Sequence, residues 1–222
     1  VKESIEMRKK NIVIAGAGSG MGNHIAEVFG KHGFQVFLLA RNRKHLTEYE
    51  EQFRDKGIDC FGIVADISET ESVRKAFADI FSEINYIDVL VCNVTIREPG
   101  LPTSWTDKDL LGHYNTDVLG AFRCVKEVLP SQIAQGIGTI LFTGGGFSIH
   151  PMAEYSCVSI DKAALRSLAC TLHQELKEKG IFVGIVTNMG NVVPETHYAP
   201  EKIAEVYWKM YQERKVWEYI YQ

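Results

Sequence analysis

The sequence predicts a doubly wound α/β fold, a parallel sheet of about seven strands covered by helices on both faces. Three observations carry that prediction. Short apolar runs alternate with segments of helical period along the whole 222-residue chain. Continuous apolar strands divided by helices mean βαβ units buried on both sides. The first apolar run, Ile12-Val13-Ile14-Ala15, feeds directly into four glycines spaced two apart, Gly16, Gly18, Gly20 and Gly22. No linker, repeat or low-complexity stretch divides the chain, so residues 1–222 read as a single domain.

Taken in order, strands are expected at 12–16, 35–40, 59–64, 89–93, 139–143, 182–187 and 216–221. Between them, helical patterns cover 22–31, 43–56, 69–84, 108–135, 155–179 and 200–213. Ser68 with Glu71 three residues on reads as a capping box for the third helix. Gly33, Gly57 and Gly180 stand where glycines end helices.

Composition sets limits on function. Hydrophobic residues make up 45% and charged residues 23%, the balance of an ordinary soluble globular protein. A formal charge of −4 offers no basic face for nucleic acid. No apolar run has the length of a membrane span, and residues 1–10 are too polar for a secretory signal. The five cysteines (Cys60, Cys92, Cys124, Cys157, Cys170) lack a C-x-x-C pair, as expected of reduced thiols in a cytoplasmic protein. The seven histidines show no H-E-x-x-H or other tight spacing, so no metal site is expected.

The glycine-rich stretch is the first functional signal. Strand, tight turn and helix follow one another, which brings backbone close to a ligand and points helix N–H groups at a phosphate. A P-loop is excluded because no Gly-Lys-Ser/Thr closes the loop, and G-x-G-x-x-G fails at Met21 and Asn23. Two spacings fit: G-x-G-x-G at 16, 18 and 20, used by many methyltransferases, and G-x-x-x-G-x-G at 16, 20 and 22. Either way Gly16, Gly18, Ser19, Gly20, Met21 and Gly22 form the candidate nucleotide loop.

Other motifs stand in a definite order beyond this loop. They are Leu90-Val91-Cys92-Asn93-Val94-Thr95, then Asp117-Val118-Leu119-Gly120, then Ser159-Ile160-Asp161-Lys162-Ala163-Ala164-Leu165. With the second glycine spacing, the chain resembles the short-chain dehydrogenase/reductase family over nearly its full length. That family carries L-V-N-N-A-G, N-x-x-G and S-A-S-K-A-A-L at these places. The resemblance implies a Rossmann-type fold, a nicotinamide dinucleotide and hydride transfer to or from a carbonyl or alcohol. It also implies pairing of two long helices, here 108–135 and 155–179, into a homodimer or homotetramer.

The end of the second strand bears on the choice of dinucleotide. An NAD-binding protein places an acid there for the ribose hydroxyls. This chain has Leu39-Ala40-Arg41-Asn42-Arg43, with no acid before Glu48. Arg41 offers a planar fork of donors to a 2′-phosphate, with Arg43 as a second charge, so NADP(H) is expected over NAD(H). By resemblance, Asp66 contacts the adenine and Asn93 braces the central strands.

The catalytic pattern is broken. The family's proton donor is a tyrosine whose phenol, ordinarily near pKa ~10, is lowered by a lysine four residues later. Lys162 holds the lysine position, yet Val158 stands in place of the tyrosine. Thirteen residues before Val158, where the family has serine, stands Gly145, and the asparagine position is Asp117. Lys162 retains the family's second role, holding the nicotinamide ribose. Tyr155, two helical turns from Lys162 on roughly the same expected face, is the candidate replacement donor. Glu154, His150, Ser148 and Thr143 also border the expected pocket. The loop after the sixth strand, Thr187-Asn188-Met189-Gly190, lacks the family's proline, and only residues 191–199 are left to cover a substrate. Two functions remain open: an NADP(H)-dependent oxidoreductase of unknown substrate, or a dinucleotide-binding protein of the same fold without efficient turnover. The methyltransferase reading rests on G-x-G-x-G alone.

Overall fold

The computed structural model describes residues 8–222. Most of the expectation about residues 1–10 therefore lies outside the described residues. The strands are β1 (Asn11–Ala15), β2 (Gln35–Ala40), β3 (Cys60–Val64), β4 (Val89–Cys92), β5 (Gly138–Thr143), β6 (Ile181–Asn188) and β7 (Glu218–Tyr221). They form one parallel sheet in the order β3-β2-β1-β4-β5-β6-β7. Helices α1 (Met21–Lys31), α2 (Arg43–Asp55), α3 (Thr70–Glu83), α4 (Asp107–Tyr114), α5 (Gly120–Gln135), α6 (Ser156–Leu176) and α7 (Pro200–Glu213) cover its two faces.

Every residue of β1 and β4 is buried, which is why both read as uninterrupted apolar runs. Alternate side chains along each strand enter opposite layers. Val13, Leu90, Ile140 and Val183 pack on one side with α3, α5 and α6. Ile12, Ile14, Val91 and Leu141 pack on the other with α1, α2 and α7. Full burial of each such side chain contributes roughly 1.5–3 kcal/mol, so the central strands are a rigid base for what lies at their ends. Successive connections leave β1 toward β2 and β3, then return to start β4 on its other side. The chain reverses between β1 and β4, and a crevice opens above their carboxyl ends, where doubly wound sheets bind ligands.

Three sequence expectations need correction. The pattern at 108–135 is not one α-helix, since α4 and α5 are joined by a π-helical turn at Asn115–Leu119. Apolar spacing does not reveal an extra residue in a turn; side-chain partners do. Arg123 donates to the Asn115 carbonyl (3.1 Å) and to its side-chain oxygen (2.7 Å). Asn115 in turn donates to the Ser68 carbonyl (3.0 Å). The capping box at Ser68 and Glu71 does not form: α3 has no side-chain cap, and the Ser68 hydroxyl donates to Asp66 (2.6 Å). A capping box forms instead at Thr106 and Asp109, starting α4. Finally, Tyr155 is not helical. It is the N-cap of α6, with φ −130° and ψ 47°, and bridges to Gly100. The C-terminal glycines hold as expected, Gly33, Gly57 and Gly180 all having positive φ.

Candidate functional site

Backbone requirements shape the glycine loop. Gly16 has φ +96°, and a Cβ there would lie 2.7 Å from Val94 Cγ2 and 2.9 Å from the Asn93 carbonyl carbon. Gly22 is as restricted, because its Cβ would lie 2.5 Å from the Gly16 carbonyl. These two glycines let β1, β4 and α1 approach one another. Gly18 and Gly20 differ, since nothing lies within 4 Å of the position their Cβ would take. They border open space, which suits close approach of a ligand rather than internal packing. The α1 N-terminus has no side-chain cap; the Asn23 N–H donates to the Gly18 carbonyl (3.1 Å), while those of Met21 and Gly22 have no partner among the described residues. Asn23 closes the loop by accepting from the Gly18 N–H (3.0 Å), a role that the glycine spacing alone did not reveal.

Two cavities flank the loop. The first, about 270 Å³, is lined by Gly16, Ala17, Arg41, Asp66, Asn93 and Thr95 among others. Arg41 is exposed at its edge and has no hydrogen-bonding or ion-pair partner among the described residues. Arg43 is turned away: it donates to the Gly62 carbonyl (2.6 Å) and pairs with Glu50. The second basic group expected for the cofactor thus ties α2 to β3 instead. Asp66 accepts from the Ser68 N–H (3.0 Å) while its residue lines this cavity, so it shapes the turn before α3 as well.

The second cavity, about 710 Å³, contains Lys162, Tyr155, Val158, Gly145, Thr143 and Met21 in its wall. Lys162 is buried and donates to the Thr143 carbonyl (2.7 Å). Burial lowers its pKa to about 8, opposed by the neighbouring carboxylates of Asp117 and Asp161. Burial and the Asp117 charge raise Asp161 to about 7, with Lys162 pulling the other way. Asp117 lies in the π turn, accepts from the Ile96 N–H (2.9 Å) and is likewise raised by burial. Sequence reading anticipated Asp117 but not Asp161, which an apolar-periodic helix hides in its buried face.

Asn93 donates to the Gly16 carbonyl (3.0 Å), as a brace between β4 and β1 must. Its side-chain oxygen accepts from Thr143 (2.8 Å), whose hydroxyl accepts from Tyr207 on α7 (2.8 Å). This chain of hydrogen bonds joins α7 to the glycine loop across three strands. Nothing in the sequence around Tyr207 marks it. Its phenol is fully buried, which pushes its pKa up.

Val158 presents a buried apolar wall where a phenol was sought. A Cβ on Gly145 would meet only the Lys162 stem, at 3.9 Å, so the place of a serine side chain is open. Tyr155 lines the same cavity as Lys162 although it lies off the helical lattice. Its ring stacks on Phe147 (5.6 Å between centroids), and the Arg97 guanidinium lies 5.6 Å from its centroid. Arg97 also donates to Asn191 (3.0 Å), linking the loop after β4 to the loop after β6. That second loop is held to β7: Tyr221 stacks on His197 (4.8 Å) and donates to its carbonyl (2.9 Å).

No group of histidine, cysteine or carboxylate side chains among the described residues is arranged to hold a metal ion. No helix among them is long and apolar enough to cross a membrane. All five cysteines are free, and burial pushes the thiols of Cys60 and Cys124 up to about 12, so they pack as neutral side chains.

A glycine turn from β1 into α1, above the point where strand order reverses, defines a doubly wound protein with a ligand crevice at its carboxyl edge. Comparison with known proteins makes this specific. The short chain dehydrogenase family profile matches residues 10–199, and the chain belongs to that family. It is 26% identical over 196 residues to 3-oxoacyl-(acyl-carrier-protein) reductase FabG of Staphylococcus epidermidis, covering 84% of this chain and 79% of that one. It is 27% identical over 182 residues to an uncharacterized oxidoreductase of Bacillus subtilis, covering 82% and 68%. Among solved structures, actinorhodin polyketide ketoreductase with NADPH superposes with a TM-score of 0.89 at 22% identity, covering 96% of this chain and 95% of that one. A metagenomic short-chain oxidoreductase in complex with NADP gives 0.86 at 20% identity, covering 95% and 94%. At these identities the structural likeness establishes the Rossmann-type fold.

Proposed function

We propose that the chain is a single-domain, NADP(H)-binding oxidoreductase acting on a carbonyl or alcohol substrate. The observation that carries this reading is the continuity of the crevice. Thr95 lines both cavities, the smaller running from Gly16 and Ala17 to Arg41 and the larger from Met21 to Lys162. The residues fit a dinucleotide: N–H groups at the α1 N-terminus face a pyrophosphate, and Arg41 faces a 2′-phosphate. Lys162 holds ribose hydroxyls. The bound dinucleotide supplies or accepts a hydride at the substrate carbon.

The residues of this chain then have to position the substrate and move one proton. Lys162 keeps a positive charge beside the cavity. Tyr155 is the phenol in that wall nearest in sequence to Lys162, and its hydroxyl has no hydrogen-bond partner among the described residues. In this reading it protonates the alkoxide formed on reduction. Val158 and Gly145 leave that task without the phenol and the hydroxyl usual in the family. A second reading rests on them: the chain binds the dinucleotide as a sensor or assembly partner without efficient turnover.

Association is part of the proposal. Leu111, Leu119 and Phe122 on α4, the π turn and α5, with Ile160 on α6, are apolar and exposed. A symmetric partner packing on these helices removes them from water.

The test is direct. NADPH affinity is measured by calorimetry, and carbonyl-dependent NADPH oxidation is then screened for wild type and Tyr155→Phe. Turnover that falls about 10²-fold or more in Tyr155→Phe, with NADPH affinity kept, supports the first reading. Tight NADPH binding without oxidation of any carbonyl supports the second. Absence of NADPH binding refutes both.

A further inference from the structure

The larger cavity has a charge pattern that cofactor binding does not account for. Its wall carries three basic side chains, Arg97, His150 and Lys162, and no aspartate or glutamate among the described residues. Lys162 is committed at the cavity floor, where it donates to Thr143. Arg97 stands apart from it at the rim, on the loop after β4.

The pairing of Arg97 is incomplete. One guanidinium nitrogen donates to the Asn191 side chain (3.0 Å), and no carboxylate lies within ion-pair distance among the described residues. The adjacent Glu98 lies instead beside His113 (3.5 Å). Asp117 is turned inward, accepting from the Ile96 N–H. A guanidinium offers five donors in a planar fork, so most of this one's capacity is unused. It also lies over the Tyr155 ring, which is stacked on Phe147. The remainder of the wall is largely apolar, with Met152, Val158, Met189 and Val192.

Lys162 has Asp117 and Asp161 behind it, so the unbalanced positive charge at this largely apolar cavity is the Arg97 guanidinium at its rim. We propose that the site takes a carbonyl or alcohol substrate with an aromatic or otherwise apolar body and a carboxylate group, and that Arg97 holds the carboxylate at the rim. The planar fork matches the two oxygens of a carboxylate. Phe147 and Tyr155 supply a flat surface for the body. This rests on the reading above, in which the same cavity is the substrate side of the dinucleotide site.

The experiment separates the two claims. Binding of 2-naphthoate and of its uncharged counterpart 2-naphthamide is measured by calorimetry on protein saturated with NADP⁺, for wild type, Arg97→Met and Arg97→Lys. The affinity of each protein for NADP⁺ is measured first. The expected result is naphthoate binding at least tenfold more tightly than naphthamide in wild type. That advantage falls below twofold in Arg97→Met and is partly kept in Arg97→Lys, with NADP⁺ affinity within twofold throughout. Equal affinities for acid and amide in wild type overturn the proposal, as does an acid preference that survives Arg97→Met. Binding of NADP⁺ with no binding of either probe also overturns it and leaves the cofactor reading standing. Failure of NADP⁺ to bind refutes the cofactor reading instead, and the acid–amide comparison on cofactor-free protein still decides the role of Arg97.

Discussion

Arg41 and Arg43 flank one asparagine, yet the structure gives them opposite roles, and replacing each in turn measures this. Arg41 is exposed at the edge of the smaller cavity and has nothing to release before it meets a 2′-phosphate. A hydrogen bond to a charged group is worth about 1.5–3 kcal/mol. Exposure to solvent puts Arg41 at the low end, so Arg41→Ala should weaken NADPH binding roughly tenfold and leave NADH binding unchanged. Most of that difference should vanish near 1 M salt, where the screening length is about 3 Å. Arg43→Ala should change NADPH affinity less than twofold. It should instead lower the melting temperature, because Arg43 bonds the Gly62 carbonyl and pairs with Glu50. Calorimetric titration of both dinucleotides into both variants reads all four affinities. If Arg43→Ala loses the NADPH preference and Arg41→Ala keeps it, the assignment is wrong.

The remaining predictions concern the loop, the buried charges and the missing groups. Gly16→Ala should lower the melting temperature strongly, because its Cβ meets Asn93 and Val94 and its φ is +96°. Gly18→Ala, with open space at its Cβ, should melt as wild type does and bind NADPH less tightly. Asp161 is raised to about 7 from an unfolded value near 3.9, so the folded state binds more protons than the unfolded state between those limits. Stability should therefore fall as pH rises from about 4 to 7, by at most ~4 kcal/mol from this group, and Asp161→Asn should remove that slope in urea denaturation. Lys162 is lowered to about 8, and its contribution should rise with pH above that value, toward ~10.4. Gly145→Ser with Val158→Tyr should create or raise carbonyl-dependent NADPH oxidation. The serine has room, while the tyrosine costs roughly 1–3 kcal/mol of stability by overpacking a buried valine site. An unchanged rate in a folded double variant would show that Lys162 is not poised to assist a phenol.

The sheet was legible because its strands are buried on both faces, and such strands cannot disguise themselves. All of Ile12 to Ala15 and Val89 to Cys92 had to be apolar. The glycine loop was legible for the opposite reason, since positive φ and close approach exclude other residues at Gly16. What the sequence hid is what tertiary partners decide. The π turn depends on Arg123 reaching back to Asn115, eight residues away, and apolar spacing is blind to it. Tyr155 fitted the helical period of the segment after it, and its bridge to Gly100 and stacking on Phe147, which place it at the N-cap of α6, are tertiary contacts. Arg43 was expected to add a second charge beside Arg41, and local sequence does not show that Glu50 and the Gly62 carbonyl claim it. Tyr207 lies in a helix of ordinary amphipathic pattern, so its bond to Thr143 leaves no trace in local sequence.

The surroundings of Lys162 bear on why a lysine remains useful there without its phenol. A buried ammonium is costly unless compensated, and two carboxylates, Asp117 and Asp161, lie close enough to oppose that cost. Both are themselves raised by burial, so near neutral pH the cluster does not carry two full negative charges against one positive. The ammonium is thus largely balanced within the protein rather than by a ligand. It spends one of its three N–H donors on the Thr143 carbonyl, and the others have no partner among the described residues. Those donors border the cavity, beside the open place at Gly145. A balanced, oriented ammonium with spare donors suits neutral hydroxyl acceptors such as those of a ribose. Lowering a phenol's pKa needs an uncompensated charge, and here the flanking carboxylates weaken that field. The site is therefore better built to hold a dinucleotide than to activate an acid, and its help to a phenol, whether Tyr155 or one introduced by Val158→Tyr, is weakened rather than abolished.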